Sequence, residues 1–156
     1  MIAPLMATTD LLDPRELAFL VAARRAILAT IGPDGRPRPV PVCFIVDAVD
    51  GVRVITPLDD KPKAARDKRD LARVRDIRER PAVSLVVDRW DEDWSRLAWL
   101  RLSGRATLLE PPDVPADAVD RLRAKYPQYA AHDLEASPMI AIDIERTTSW
   151  GDLDPA

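Results

Sequence analysis

Few residues in this 156-residue chain are of types that do nucleophilic or acid–base work. There is one histidine, His132, and one cysteine, Cys43. A Ser-His-Asp or Cys-His mechanism would have to route through His132, and the sequence sets no nucleophile beside it. His132 therefore reads as an exposed loop residue. A single cysteine excludes an internal disulfide and a multi-cysteine metal site. The patterns HExxH, CxxC, GxxxxGK[ST] and GxGxxG do not occur. An enzyme so poor in catalytic side chains would lean on a bound cofactor.

What the sequence does offer is anion-binding chemistry. VITPLDDKPK runs from a β-branched strand through a turn into a basic helix, bringing Thr56, Lys61 and Lys63 to the helix start. One hydroxyl, two ammonium groups and the unpaired N–H groups of a helix N-terminus would make a phosphate cradle, with Arg66 in reach. Residues 59–80 carry nine Lys/Arg against six acids, in a chain of net charge −3. The competing reading of that stretch is a solvated amphipathic helix. A second group is aromatic. Trp90, Trp94 and Trp99 fall within ten residues, with Asp91, Glu92 and Asp93 between the first two. Exposed tryptophans suit a planar ligand or a subunit interface; alternatively they plug one end of a barrel. Trp94, in the acidic loop, is the one expected furthest from the core.

The elements that position these residues follow from pattern. Asp13-Pro14-Arg15-Glu16 reads as a capping box opening a short helix, with Leu17, Leu20 and Val21 turned to a core. Residues 25–31 and 36–47 read as strands joined by the turn Gly32-Pro33-Asp34-Gly35. Pro37, Pro39 and Pro41 alternate along the second, removing N–H donors from one edge, which must lie free, covered or against a ligand. A third strand covers 52–56. The long basic helix then runs to Arg80, buries Leu71, Val74 and Ile77, and stops at Pro81. Strands over 82–88, 97–109 and 139–145 follow, with a bulge or bend expected at Gly104. A helix over 115–126 turns Val119 and Leu122 inward, 127–138 reads as loop, and the chain frays from Gly151. This order predicts a mainly β, α+β fold: a six-stranded antiparallel barrel with peripheral helices, forming one domain over 1–156 with its core at about 13–150. No apolar run approaches the ~20 residues of a membrane span. No secretory signal opens the chain, so a cytoplasmic protein is expected. The acidic net charge argues against nucleic-acid binding.

Taken in order, LATIGPDGRPRPVPVCF, VITPLDDKPK, RERPAVSLVVDRWDEDWSRLAWLRLSGRATLL and IAIDIERTTSW resemble the pyridoxamine-phosphate-oxidase-like split β-barrel flavoproteins. Within them they resemble the branch of probable F420-dependent oxidoreductases, the flavin/deazaflavin oxidoreductase group. The resemblance covers roughly residues 17–150. It implies a homodimer of split barrels with the cofactor in a groove between subunits. It also implies a basic-x-V-x-x-Lys pattern on the second strand, to which Arg38 and Val40 conform while Cys43 takes the lysine place. Thr56, Lys61 and Lys63 match the hydroxyl and basic pair that grip phosphate.

The missing lysine weakens the expectation of FMN and moves it to the deazaflavin coenzyme F420, whose acidic tail also needs a basic groove. The resulting expectation is an F420-binding oxidoreductase that passes a hydride between the reduced deazaflavin and a small electron-poor substrate. Its cofactor site would comprise Arg38, Pro41, Val42, Cys43, Thr56, Lys61, Lys63, Arg66 and Trp94, with Pro41 and Val42 backing the ring. The alternatives are an FMN enzyme of the wider family and a non-catalytic F420 storage protein.

Overall fold

The structure is a computed structural model that describes residues 11–58 and 67–155. A seven-stranded antiparallel sheet dominates it. The strands are β1 (Ala26–Ile31), β2 (Pro37–Val42), β3 (Ile45–Asp47), β4 (Arg53–Pro57), β5 (Ala82–Arg89), β6 (Ala98–Leu109) and β7 (Met139–Gly151). Three α-helices accompany them among the described residues: α1 (Pro14–Ala22), α2 (Ala72–Glu79) and α3 (Ala118–Lys125). The spatial order is β2-β1-β5-β6-β7-β4-β3, and the sheet is not closed by hydrogen bonds. Its two outermost strands, β2 and β3, are nonetheless consecutive in the chain, joined only by Cys43 and Phe44. Seven strands laid flat would hold those edges roughly 29 Å apart at ~4.8 Å per strand. Two residues reach at most ~10 Å. The sheet must therefore curl until its edges nearly meet, which is a split barrel.

Alternation decides what the barrel encloses. Alternate residues along β1, β5 and β6 are buried, so Leu28, Leu85, Leu100 and Leu102 fill the interior with Val42, Phe44, Val54, Leu58, Ile140 and Ile142. The strand β4 and the start of β7, Met139 to Ile142, are buried on both faces. Val54 and Ile142 point in, while Ile55, Met139 and Ala141 point out and pack under α3 with Leu122, Tyr126 and Tyr129. A strand covered on both faces reads as a continuous apolar run, as MIAI does.

The expected antiparallel barrel is what forms, with seven strands in place of six because the second expected strand breaks at Cys43-Phe44. At α1 the capping box forms: the Asp13 carboxylate accepts from the Arg15 and Glu16 N–H groups, and Glu16 accepts from the Asp13 N–H. Leu20 is buried there, but Val21 faces solvent. The basic helix is shorter than its charge pattern suggested. Asp67 caps a single turn over Lys68–Asp70, and Leu71 then takes an extended backbone (ψ 141°) before α2 begins. The apolar stripe is as expected, with Leu71, Val74 and Ile77 buried. Val119 and Leu122 of α3 pack inward. The register of β6 against β7 shifts between Ser103 and Gly104, the expected bulge. The last strand runs to Gly151 instead of ending near residue 145. Beyond it, Arg89 donates to the carbonyls of Asp152 and Asp154, so the tail is tied down where fraying was expected.

Candidate functional site

The free edge of β2 starts the site. Its register with β1 sets Arg38, Val40 and Val42 opposite Thr30, Leu28 and Ala26. Those six residues share the interior face. The three prolines share the outer face with Ile27, Ala29 and Ile31, and all three are exposed. On its far side β2 pairs with no strand among the described residues. The donors that proline removes are therefore those that would have pointed at empty edge, which protects the strand from further pairing. Pro41 lies on the outer face and Val42 in the core. Cys43 is half-buried and packs against the α3 cluster. At the joint, the Tyr126 hydroxyl accepts from the Phe44 N–H (3.1 Å) and donates to the Phe44 carbonyl (3.2 Å). A phenol thereby stands in for the strand partner that Phe44 lacks. Burial pushes the Tyr126 hydroxyl's pKa up, against the Phe44 hydrogen bond.

Arg38 is engaged. Asp76 on α2 is 1% exposed. It accepts from Arg38 Nε (2.9 Å), from the Arg38 terminal nitrogen and from Thr30 Oγ1 (2.8 Å), with Arg80 at 3.8 Å. Arg80 also donates to the Ile31 carbonyl at 2.8 Å. Burial would raise the Asp76 pKa, but the Arg38 and Thr30 hydrogen bonds and the nearby arginines outweigh it and hold the carboxyl below the usual range. The network ties α2 to β1 and β2.

Thr56 is buried in β4, on the interior face with Val54 and Leu58. The chain leaves β4 there for the basic segment. Lys61, Lys63 and Arg66 lie outside the described residues. Beyond them the chain is anchored twice: Lys68 donates to Ser137 Oγ (2.7 Å), and Arg69 forms a bidentate pair with Glu110 (3.1 and 2.6 Å). The Arg69 hydrogen bonds keep the Glu110 carboxyl low.

The tryptophans gather at the other end of the sheet. Trp90, Trp94 and Trp150 are 66%, 71% and 54% exposed, and Trp99 pairs with Trp150 across β6 and β7. They do not plug the barrel. Trp94 starts a one-turn helix whose N-terminal Asp93 accepts from the Ser95 N–H and hydroxyl. Thr56 pairs with Ile140, and Ile140 with Leu108. The strand from Trp99 to Leu108 is about 30 Å long at ~3.4 Å per residue, so Thr56 and Trp94 of one chain sit at opposite ends. Cys43 lies with the Thr56 end: Ile45, two residues on, pairs with Ile55, and Cys43 packs in the α3 cluster with Met139 and Leu109.

His132 is half-buried, edge-on to Tyr129 with ring centroids 5.4 Å apart, and not the exposed loop residue its context suggested. No group of His, Cys, Asp and Glu among the described residues could hold a metal ion. No described helix is long and apolar enough to cross a membrane. Asp76 and Tyr126 are the residues that sequence reasoning missed. Asp76 carried a weak signal, its place between the apolar Val74 and Ile77; Tyr126 carried none.

Residues 12–151 match the family model described as pyridoxamine 5'-phosphate oxidase. No curated protein sequence matches the chain. Solved structures share the fold at low identity. The conserved hypothetical protein Rv2991 from Mycobacterium tuberculosis is 20% identical, with a TM-score of 0.67 over 90% of this chain and 85% of that one. A Listeria innocua protein, provisionally a pyridoxamine 5'-phosphate oxidase, is 18% identical at a TM-score of 0.63, over 87% and 95%. The heme storage protein HutZ from Vibrio cholerae is 15% identical at 0.59, over 90% and 94%.

Proposed function

The chain belongs to the pyridoxamine 5'-phosphate oxidase family, and from that premise we propose that it is an F420-dependent oxidoreductase acting on a small electron-poor substrate. Membership supports the coarser reading, a flavin-binding, oxidoreductase-like protein. The observation that carries the finer one is the state of β2. Of the two cations that the resemblance expects there, one is replaced by Cys43, which packs against α3, and the other, Arg38, is held by the buried Asp76. An FMN phosphate would find no free cation on this strand. The grip passes to Thr56 and to Lys61, Lys63 and Arg66, a basic segment suited to an anion longer than one phosphate.

When bound, the deazaflavin supplies a hydride donor at its C5. The chain's own residues do the rest. Lys61 and Lys63 hold the phosphate with Thr56, and Arg66 reinforces them. The backbone at Pro41 and Val42 offers a flat, donor-poor backing to the ring. Trp94 covers the ring from either subunit and excludes water there. The anchors Lys68–Ser137 and Arg69–Glu110 fix the exit of the gripping segment. No side chain need transfer a proton, because orientation and water exclusion are the protein's contribution.

A homodimer completes this reading. The outer face of the sheet carries half-buried Ile27, Ala29, Ile31 and Val86 beside the three exposed prolines. An apolar sheet face of this kind suits a second copy.

The test is a fluorescence titration with oxidised F420 and with FMN in parallel. F420 is expected to bind at least tenfold more tightly than FMN, and Lys63→Ala to weaken it about tenfold or more. Equal affinity of the variant for F420 would overturn the assigned grip, and tighter FMN binding the choice of cofactor. Turnover with a nitro or enone acceptor separates the enzyme from a storage protein, which would bind F420 without oxidising its reduced form.

A further inference from the structure

Residues of α1, β3 and α3 line an open pocket of about 410 Å³, formed by Val21, Ile45, Val46, Arg121, Ala124 and Lys125. Four of its six residues are apolar. Lys125 sits at its rim with its ammonium 4.0 Å above the Phe44 ring centroid and 5.4 Å from that of Tyr126. The Arg24 guanidinium lies over the same Tyr126 ring at 4.9 Å. Among the described residues neither Lys125 nor Arg24 has a carboxylate within 4 Å, whereas Arg121 is paired with Asp47. Two cations thus share one aromatic ring beside a largely apolar pocket, with no carboxylate of the described residues within 4 Å of either. The groups facing the Lys125 amine are Arg24 from the α1–β1 connection, Arg121 on its own helix, and Cys43 and Tyr126 beneath it.

We propose that this pocket is a second site in which Lys125 is a nucleophilic amine that captures small aldehydes carrying a carboxylate. The apolar walls take the body of the molecule, Arg24 takes its carboxylate, and Lys125 takes its carbonyl carbon. The amine lone pair attacks that carbon while the carbonyl π pair moves to oxygen, which then takes the first amine proton. The resulting carbinolamine loses its hydroxyl together with the second amine proton as water, leaving a C=N bond to Lys125 Nζ. The step needs no oxidant or reductant and reverses by hydrolysis. Burial and the Arg24 charge together lower the Lys125 pKa to about 8, against the opposing pull of Cys43. About a tenth of the amine is then unprotonated at pH 7, against well under a thousandth for an ordinary lysine. Desolvation beside a second cation is a known way to activate a lysine.

The experiment treats the full chain with 4-carboxybenzaldehyde and sodium cyanoborohydride, which reduces any imine to a stable secondary amine, and maps the labelled lysines by mass spectrometry. The other lysines, Lys61, Lys63 and Lys68, are internal controls. Lys125 is expected to label at least tenfold faster than any of them, with half-maximal rate near pH 8. The ratio of its rate with 4-carboxybenzaldehyde to its rate with benzaldehyde, normalised to free Nα-acetyl-lysine, is expected to fall at least fivefold in Arg24→Gln. That ratio is insensitive to a change in amine basicity, which affects both aldehydes alike. Labelling of Lys125 no faster than the other lysines overturns the proposal. A rate ratio that Arg24→Gln leaves unchanged overturns the anion subsite with it.

Discussion

At the scale of the residue, Asp76 governs more than its single charge suggests. It is buried and accepts from Thr30 and Arg38, and through them it holds α2 against the strand whose prolines border the proposed groove. Breaking a fully buried ion pair costs about 3–5 kcal/mol. Here the Arg38 side chain is 44% exposed, so part of its charge returns to water. Asp76→Asn is therefore expected to lose about 2–3 kcal/mol at pH 7, read by urea denaturation. The pH dependence has a definite sign. The folded-state pKa of Asp76 is depressed, so its contribution is full above the unfolded value near 4 and is lost as pH falls through the lower folded value. Wild-type stability should drop across that window, and the variant should lack that share of the slope. Superimposable curves for the two proteins at pH 7 and at pH 3 would refute the role given to Asp76.

Among the elements, the pair β6–β7 bends where Gly104 meets Asp143. A Cβ at position 104 would lie 2.1 Å from the Asp143 carbonyl oxygen and 2.9 Å from its carbon. Both atoms are backbone, so no side chain can swing away. Gly104→Ala is expected to cost about 2–3 kcal/mol and to lower Tm by roughly 5–10 °C for a chain of this length; an unchanged melting curve would mean that the strand relaxes freely. This bend was legible in the sequence because a lone glycine in an apolar strand has few other uses. The edge position of β2 was legible for a similar reason: three alternate prolines forbid pairing on one side. The break at Cys43-Phe44 was not. VPVCFIV is an unbroken apolar run, and what satisfies Phe44 is Tyr126, 82 residues away. The basic segment misled in another way. Its charges allow a helix throughout, but the Asp67 cap and the extended Leu71 divide it. Burial of Asp76 was equally hidden, because Thr30 and Arg38 lie 46 and 38 residues from it. Of the candidate site, the residue types were legible and their division between two ends of the sheet was not, since that depends on the register of five strands.

The whole molecule presents one broad outer face formed by β2, β1, β5 and β6, and the proposed dimer covers it. Val86 sits near its middle, paired with Ile27 on one side and Arg101 on the other. Val86→Glu would place a charge in a buried apolar interface. It is expected to convert a dimer of the 17.4-kDa chain into monomer in light scattering after size exclusion. If the groove is shared, F420 affinity should fall at least tenfold in the same variant. A wild-type protein that runs as a monomer and still binds F420 would remove the dimer from the account.

The strand order has one consequence in time. The strands β3 and β4 pair with each other, but β4 finds its other neighbour only in β7, with Arg53 bonded to Asp143 90 residues later. At about 5–20 residues per second of synthesis, that hairpin waits roughly 5–20 s on the ribosome for its partner. Through that interval Val54 and Ile55 stand on a strand with one open edge and apolar surface on both faces. The nascent chain is therefore most exposed to misassociation between the emergence of β4 and that of β7, and a holdase that shields this one hairpin would protect the whole barrel.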